Sequence, residues 1–521
     1  MEHIEAVIVS LLVAVVVLGA LATRIGVPYP ILLVVGGLVL GFLPGVPDVR
    51  LEPELVLVVF LPPLLYQSAF FANLRELRAD ARSITLLSTV LVLVTATAVA
   101  VAAHALIDGL PWAACFALGA IVAPTDPVAA TTIARRLNVP RRTVNILEGE
   151  ALVNDATALV AYRIAVGAIG GGTFSLIDAG FEFVAGAAVG AAIGFVVARV
   201  IAEIRRRLDD PPVEITLSLL SGYAAYVPAE QLGASGVIAA VTAGIALGWW
   251  APEIASPLVR QQGFALWSLL VFLLNAILFV LIGLQLPQIL DALRGESPWA
   301  LLGTAVAISA VVIVTRLVWL LASPHIVRAL DRRQAQRARR IGWRMRTIAA
   351  WSGMRGSVSL AAALALPAET PQRDLLVFLT FAVILATLVL QGLTLPALIR
   401  RLGVRGDDDE AREELRARLT ATQAALARIE ELATEEWTRD ETVERMTAFY
   451  GYRRRRLKAR AGKIEDDGYE DRSQAYQRMV REVLDAQRRA VVELRNQGVI
   501  SNDVMHRIER ELDLEDQRLE I

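Results

Sequence analysis

Gly119, Ala120, Ile121, Val122, Ala123, Pro124, Thr125, Asp126, Pro127 and Val128 follow one another in a long apolar stretch, so a threonine and an aspartate stand between two prolines. Pro124 and Pro127 have no amide hydrogen to give to the carbonyls of Ala120 and Ala123, and the helix is expected to break there. A helix broken at membrane depth frees carbonyl oxygens and exposes a helix end, which suits a small cation. Further along come Glu148, Glu150, Ala151, Asn154, Asp155 and Thr157. Helical spacing puts Glu150 and Asn154 on one face and Asp155 above Glu148, so carboxylates and an amide crowd one helix. A lone buried carboxylate reads most simply as a structural hydrogen-bond partner, and a Pro-flanked aspartate as a capped kink. Asp126 and Asp155 on neighbouring spans instead favour a convergent oxygen site. Hard cations take oxygen ligands, and two carboxylates brought together do not both ionise without cost, so one group can hold either a proton or a metal ion.

Arg316 and Arg355 also interrupt apolar runs. A buried guanidinium calls for a buried anion, so two of them call for two. Glu150 is the candidate partner of Arg316, with its pairing to Arg355 left open, while Arg355, set between Gly353 and Gly356, marks a second broken helix. Both arginines are expected to orient the site.

The elements that must position these residues are membrane helices. The chain has 521 residues, 55% of them hydrophobic, and a mean hydropathy of +0.51, above the range of soluble globular proteins. Apolar stretches recur from Ile4 to Ile399, and about 20 such residues cross a bilayer as a helix. The fold class is therefore an all-α polytopic membrane protein with about thirteen spans. Asp126 falls on the fifth (112–133), Asp155 on the sixth (143–169), Arg316 on the eleventh (299–322) and Arg355 on the twelfth (345–367). An odd count puts the termini on opposite sides. Arginines crowd the connectors after the third, fifth, seventh and eleventh spans, among them Arg75, Arg78, Arg135, Arg136, Arg205, Arg332 and Arg333, whereas the others hold at most one each, such as Arg50. Basic connectors stay cytoplasmic, which places the N-terminus outside and the C-terminal tail inside. The fifth and twelfth spans then run in opposite directions, the mark of inverted-topology repeats, here spans 1 to 6 and 8 to 13.

Residues 1–403 form this membrane domain and residues 404–521 a charged helical tail, either a solvated hairpin or a regulatory or assembly module. Glycines at 37, 41 and 45 and at 186, 190 and 194 make small-residue ladders that suit close packing, more simply within one protomer than in a dimer contact. Cys115 is the single cysteine, so no disulfide or thiolate metal site forms within one chain, and His3, His104, His325 and His506 are scattered. Glu2 and Glu5 stand where a signal peptide carries basic residues, so the first apolar run is expected to be a retained span. A net charge of -1 singles out no partner, and no nucleic acid is expected.

With Pro124-Thr125-Asp126-Pro127, Glu150 followed by Asn154-Asp155, Arg316, and Gly353-Met354-Arg355-Gly356 in this order, the chain resembles the bacterial monovalent cation:proton antiporters of the type-1 family, the sodium/proton exchangers with an Asn-Asp motif. The resemblance implies a 13-helix fold with crossed, interrupted fifth and twelfth spans, a homodimer in the bacterial plasma membrane, and elevator-like movement of a core bundle. It implies that Asp155 carries the exchanged Na+ or H+, with Asp126, the Thr125 carbonyl, and Glu150 or its waters completing the site. It further implies no enzymatic activity, no cofactor, a role in pH and sodium homeostasis, and, from Asn154, electroneutral exchange. Ala151 departs from the serine of many members and leaves the choice among Na+, K+ and Li+ open. A sodium-coupled symporter of organic solutes and a membrane sensor with little transport are the alternatives.

Overall fold

The computed structural model describes residues 2–43, 56–169, 176–330, 342–404, 406, 409–465 and 467–519. Gly45, Arg50, Arg332 and Arg333, named above, lie outside the described residues. Among the described residues all regular structure is helical. The chain divides into two compact units, Met1–Gly406 and Asp407–Ile521.

In the first unit, 8 helices of the described residues are long and apolar enough to cross a membrane, and Leu11–Ile25, Tyr29–Gly41 and Val58–Phe70 are shorter apolar helices. Their packing depends on the absence of side chains at a few positions. Helix Pro257–Leu284 lies against Tyr29–Gly41, where a Cβ on Gly37 would sit 2.3 Å from the Val280 carbonyl oxygen and one on Gly283 would sit 2.3 Å from that of Val34. Helix Leu176–Arg205 lies as closely on Gly236–Ile254, since Gly190 and Gly194 would bring a Cβ to 2.5 and 2.2 Å from the Ser235 and Ala239 carbonyls. Both described ladders thus pack within one protomer, where small residues let backbones approach.

Among the described residues the buried apolar side chains fall into six groups, two of them large. The larger joins Val99, Leu118, Ile121, Ile308, Phe381 and Ile384 from helices around the two aspartates. The other joins Tyr66, Ala198, Ala202, Ala229, Ala239 and Leu247 from Leu61–Phe70, Leu176–Arg205, Pro211–Gln231 and Gly236–Ile254.

The second unit contains helices Asp409–Leu432, Asp440–Arg460, Tyr469–Asn496 and Asn502–Leu519. Leu457 and Leu484 are buried within it. Arg460 Nε donates to Glu470 Oε2 at 2.8 Å, and that guanidinium holds the Glu470 carboxyl below its ordinary range. Of the basic cluster Arg453 to Arg456, Arg456 donates to the Ser473 hydroxyl.

The glycine contacts make a direct prediction. Gly283→Val should lower stability by about 1–3 kcal/mol, the usual cost of overpacking, whereas Gly303→Val, which meets nothing within 4 Å, should change it little. Thermal unfolding of the detergent-purified variants checks both.

Candidate functional site

The first proline-bracketed segment separates helix Trp112–Val122 from Pro127–Arg136. Pro127 opens the second of these, where its missing N–H costs nothing, and Asp126 caps it by accepting from the Val128 N–H at 2.8 Å. The glycine-flanked segment likewise separates Trp343–Trp351 from Ser357–Leu364. The two non-helical pieces touch: the Asp126 N–H donates to the Met354 carbonyl at 2.8 Å. Such closeness requires Gly356, for a Cβ there would lie 1.9 Å from Asp126 Oδ2, while one on Gly353 would lie 2.2 Å from Arg316 Cδ.

Arg355 corrects one expectation. Its charge is met by a helix end and not by a second carboxylate: Nε donates to the Val122 carbonyl at 2.9 Å and Nη2 to that of Ala123 at 3.4 Å. Nη1 donates to the Gly353 carbonyl, and the Arg355 N–H donates to the Thr387 hydroxyl at 3.1 Å. These carbonyls terminate Trp112–Val122, where a helix carries unsatisfied acceptors and the negative end of its dipole. The break that the prolines cause is thereby filled by the arginine of the other broken segment.

Helix Arg141–Ile169 presents its polar residues on two faces. On the fully enclosed face, Glu150 and Arg316 are each 1% exposed. Arg316 donates to both Glu150 oxygens, one of these bonds at 2.9 Å, and to the Ala349 carbonyl at 3.1 Å. The Thr125 hydroxyl donates to Glu150 at 3.1 Å. Asn154, 0% exposed, donates to the Thr125 carbonyl at 3.2 Å and to its hydroxyl at 3.0 Å. Glu150 therefore pairs with Arg316, and together with Asn154 it pins Thr125 at the break.

The other face, with Glu148, Ala151 and Asp155 at three- and four-residue spacing, borders a cavity of about 320 Å³ that Thr125 and Asp126 also line. Near its entrance Arg135 pairs with Glu148 at 2.6 Å, both partly exposed. The expected site residues thus divide. Thr125, Asp126 and Asp155 reach the cavity, while Asn154, Glu150, Arg316 and Arg355 are absent from its lining and hold the backbone around it. Because Glu150 offsets Arg316 and a helix end receives Arg355, the guanidinium charges are compensated away from the cavity. Two carboxylates and a threonine then offer oxygen to a cation, or a carboxylate to a proton.

Asn275 also lines this cavity and is missing from the expected set. Its signal is present in the sequence: it is the single polar side chain between Leu269 and Leu284, and polar residues at membrane depth are rare without a task.

A family model described as the transmembrane sodium/hydrogen exchanger matches residues 9–401. An uncharacterized Na+/H+ exchanger of Mycobacterium tuberculosis is 36% identical over 525 residues, covering 98% of this chain and 96% of the relative. The Na+/H+ antiporter ApNhaP of Aphanothece halophytica is 34% identical over 409 residues, 77% of this chain and 75% of that one. A sodium, potassium, lithium and rubidium/H+ antiporter of Bacillus subtilis is 30% identical over 388 residues, 71% and 58% of the two chains. The structure of the sodium proton antiporter MjNhaP1 from Methanocaldococcus jannaschii superimposes with a TM-score of 0.56 at 19% identity, covering 77% of this chain and 99% of that one, a likeness of fold.

The buried charge pair predicts a stability pattern. Arg316→Met should cost about 3–5 kcal/mol, because it strands the Glu150 carboxylate, and adding Glu150→Gln should recover most of the loss. Thermal unfolding of the single and double variants measures this.

Proposed function

This chain belongs to the sodium/hydrogen exchanger family, and from that premise we propose that it exchanges Na+, with K+ and Li+ as further candidate cations, for H+ at Asp155, with Asp126 and Thr125 as the other ligands. The observation that carries this reading is one cavity bordered by Asp126 and Asp155, where two broken segments touch and both nearby arginines are already compensated. Asn154 and Glu150 fix Thr125 behind the cavity instead of binding the ion.

The chain crosses the plasma membrane thirteen times in this proposal: the 8 long apolar helices and three shorter ones, together with Pro211–Gln231 and the interrupted pair Trp343–Trp351 and Ser357–Leu364. The N-terminus lies outside and the tail inside, following the arginines of the connectors. Arg135 and Asn73, which line the cavity, belong to arginine-bearing connectors, so the cavity opens to the cytoplasm. Asp155 gives up its proton there or takes one from there, and movement of the surrounding bundle, in a homodimer, carries the neutralised site across. A site with both carboxylates bare is too costly to move through lipid, which couples the two ions.

One positive charge replaces another in each cycle. Membrane potential, worth ~2.3 kcal/mol per charge per 100 mV, then does no net work, and the Na+ and H+ gradients set direction. The exchange serves pH and sodium homeostasis.

Liposomes containing the purified chain and an internal pH dye should show proton movement on addition of Na+, at the same rate with the potential clamped to zero. Asp155→Asn should reduce it to the rate of empty liposomes. Absence of proton movement with Na+, K+ and Li+ alike contradicts the reading.

A further inference from the structure

Asn275 interrupts sixteen consecutive positions of helix Pro257–Leu284, from Leu269 to Leu284, that are otherwise apolar or glycine. It is 5% exposed and lines the cavity of Asp126 and Asp155. Its Nδ2 donates to the Val271 carbonyl one turn back at 2.9 Å. A carbonyl accepts only from the nitrogen, so this bond fixes which way the amide is turned. Oδ1, an acceptor, is left to the cavity.

The surroundings bring it toward the carboxylates. Leu278, one turn further along the helix, packs with Ala361 of helix Ser357–Leu364, and Gly356, which precedes that helix, is the residue pressed against Asp126. Ala151 lines the same cavity one turn from Asp155 and brings no oxygen to it. The carboxylates and Thr125 leave a small cation short of the six or more oxygens that hard cations commonly gather. A neutral amide oxygen adds a ligand without adding charge, so one cation still balances one proton. A protonated carboxyl could donate its O–H to the same oxygen, so the Na+ dependence of exchange is the readout that isolates a ligand role.

We propose that Asn275 Oδ1 is a further ligand of the transported cation, supplied by helix Pro257–Leu284. The proposal rests on the exchanger reading above.

The test uses the full chain in liposomes, with proton movement recorded against Na+ concentration for wild type, Asn275→Ala, Asn275→Asp, and Asn275→Ala combined with Ala151→Ser. Loss of one neutral ligand should raise the half-saturating Na+ of Asn275→Ala by about fivefold or more, with the maximal rate within about twofold of wild type. Asn275→Asp keeps an oxygen while losing the donor to Val271, and should saturate at or below the wild-type Na+ concentration. Ala151→Ser, which places a hydroxyl beside Asp155, should restore much of the affinity lost in Asn275→Ala. Half-saturation of Asn275→Ala within about twofold of wild type overturns the proposal, as does Asn275→Asp losing affinity as Asn275→Ala does, since the bond to Val271 is then what matters. Wild type that moves no protons with any cation removes the exchanger reading itself; wild type that exchanges while Asn275→Ala is indistinguishable removes the ligand alone.

Discussion

A helix interrupted inside a bilayer leaves carbonyl and amide groups that water cannot reach, and each must find a partner within the protein or the interruption is too costly to keep. In the first unit two non-helical segments lie against each other and supply such partners. The Asp126 N–H bonds the Met354 carbonyl, and Arg355 bonds the terminal carbonyls of Trp112–Val122. Gly356 follows from the same demand, since a side chain there would meet Asp126, and Gly353 leaves room for the Arg316 side chain. The four-residue run from Gly353 to Gly356 is thus one device: two glycines admit neighbours, one carbonyl accepts, and one guanidinium closes a helix.

From that constraint the electrostatics of the site follow. Arg316 beside an ion path would repel a cation, but Glu150 receives it in a bidentate pair, and the pair is closed off from the cavity. Such pairs contribute little net stability while being expensive to break, so their value here lies in orientation. Glu150 accepts from Thr125, Asn154 donates to Thr125, and the break is held with Asp126 turned to the cavity. Helix Arg141–Ile169 consequently presents an enclosed face at Glu150 and Asn154 and a cavity-lining one at Ala151 and Asp155.

Much of this was legible in the residues themselves. Pro124 and Pro127 mark the first break because proline cannot donate, and the cost of burying a guanidinium alone calls for a carboxylate such as Glu150 without settling which arginine it meets. Two things were not legible. The partner of Arg355 is a set of main-chain carbonyls, which no side-chain inventory reveals, so the expectation of a second anion failed. The division of Glu150 and Asn154 from the cavity depends on how the helix is rotated against its neighbours, which spacing alone leaves undetermined. Asn275 lies between these cases: its isolation among apolar residues was visible, but its relation to Asp155 exists only in the folded chain.

The central claim is that one carboxylate site holds a cation or a proton but not both. It is tested most directly by titrating Na+ into the purified protein in buffers of different ionisation enthalpy and extracting the protons released per cation bound. The account predicts proton release on binding that disappears in Asp155→Asn. Binding of Na+ with no proton release at any pH from weakly acidic to weakly alkaline would contradict it.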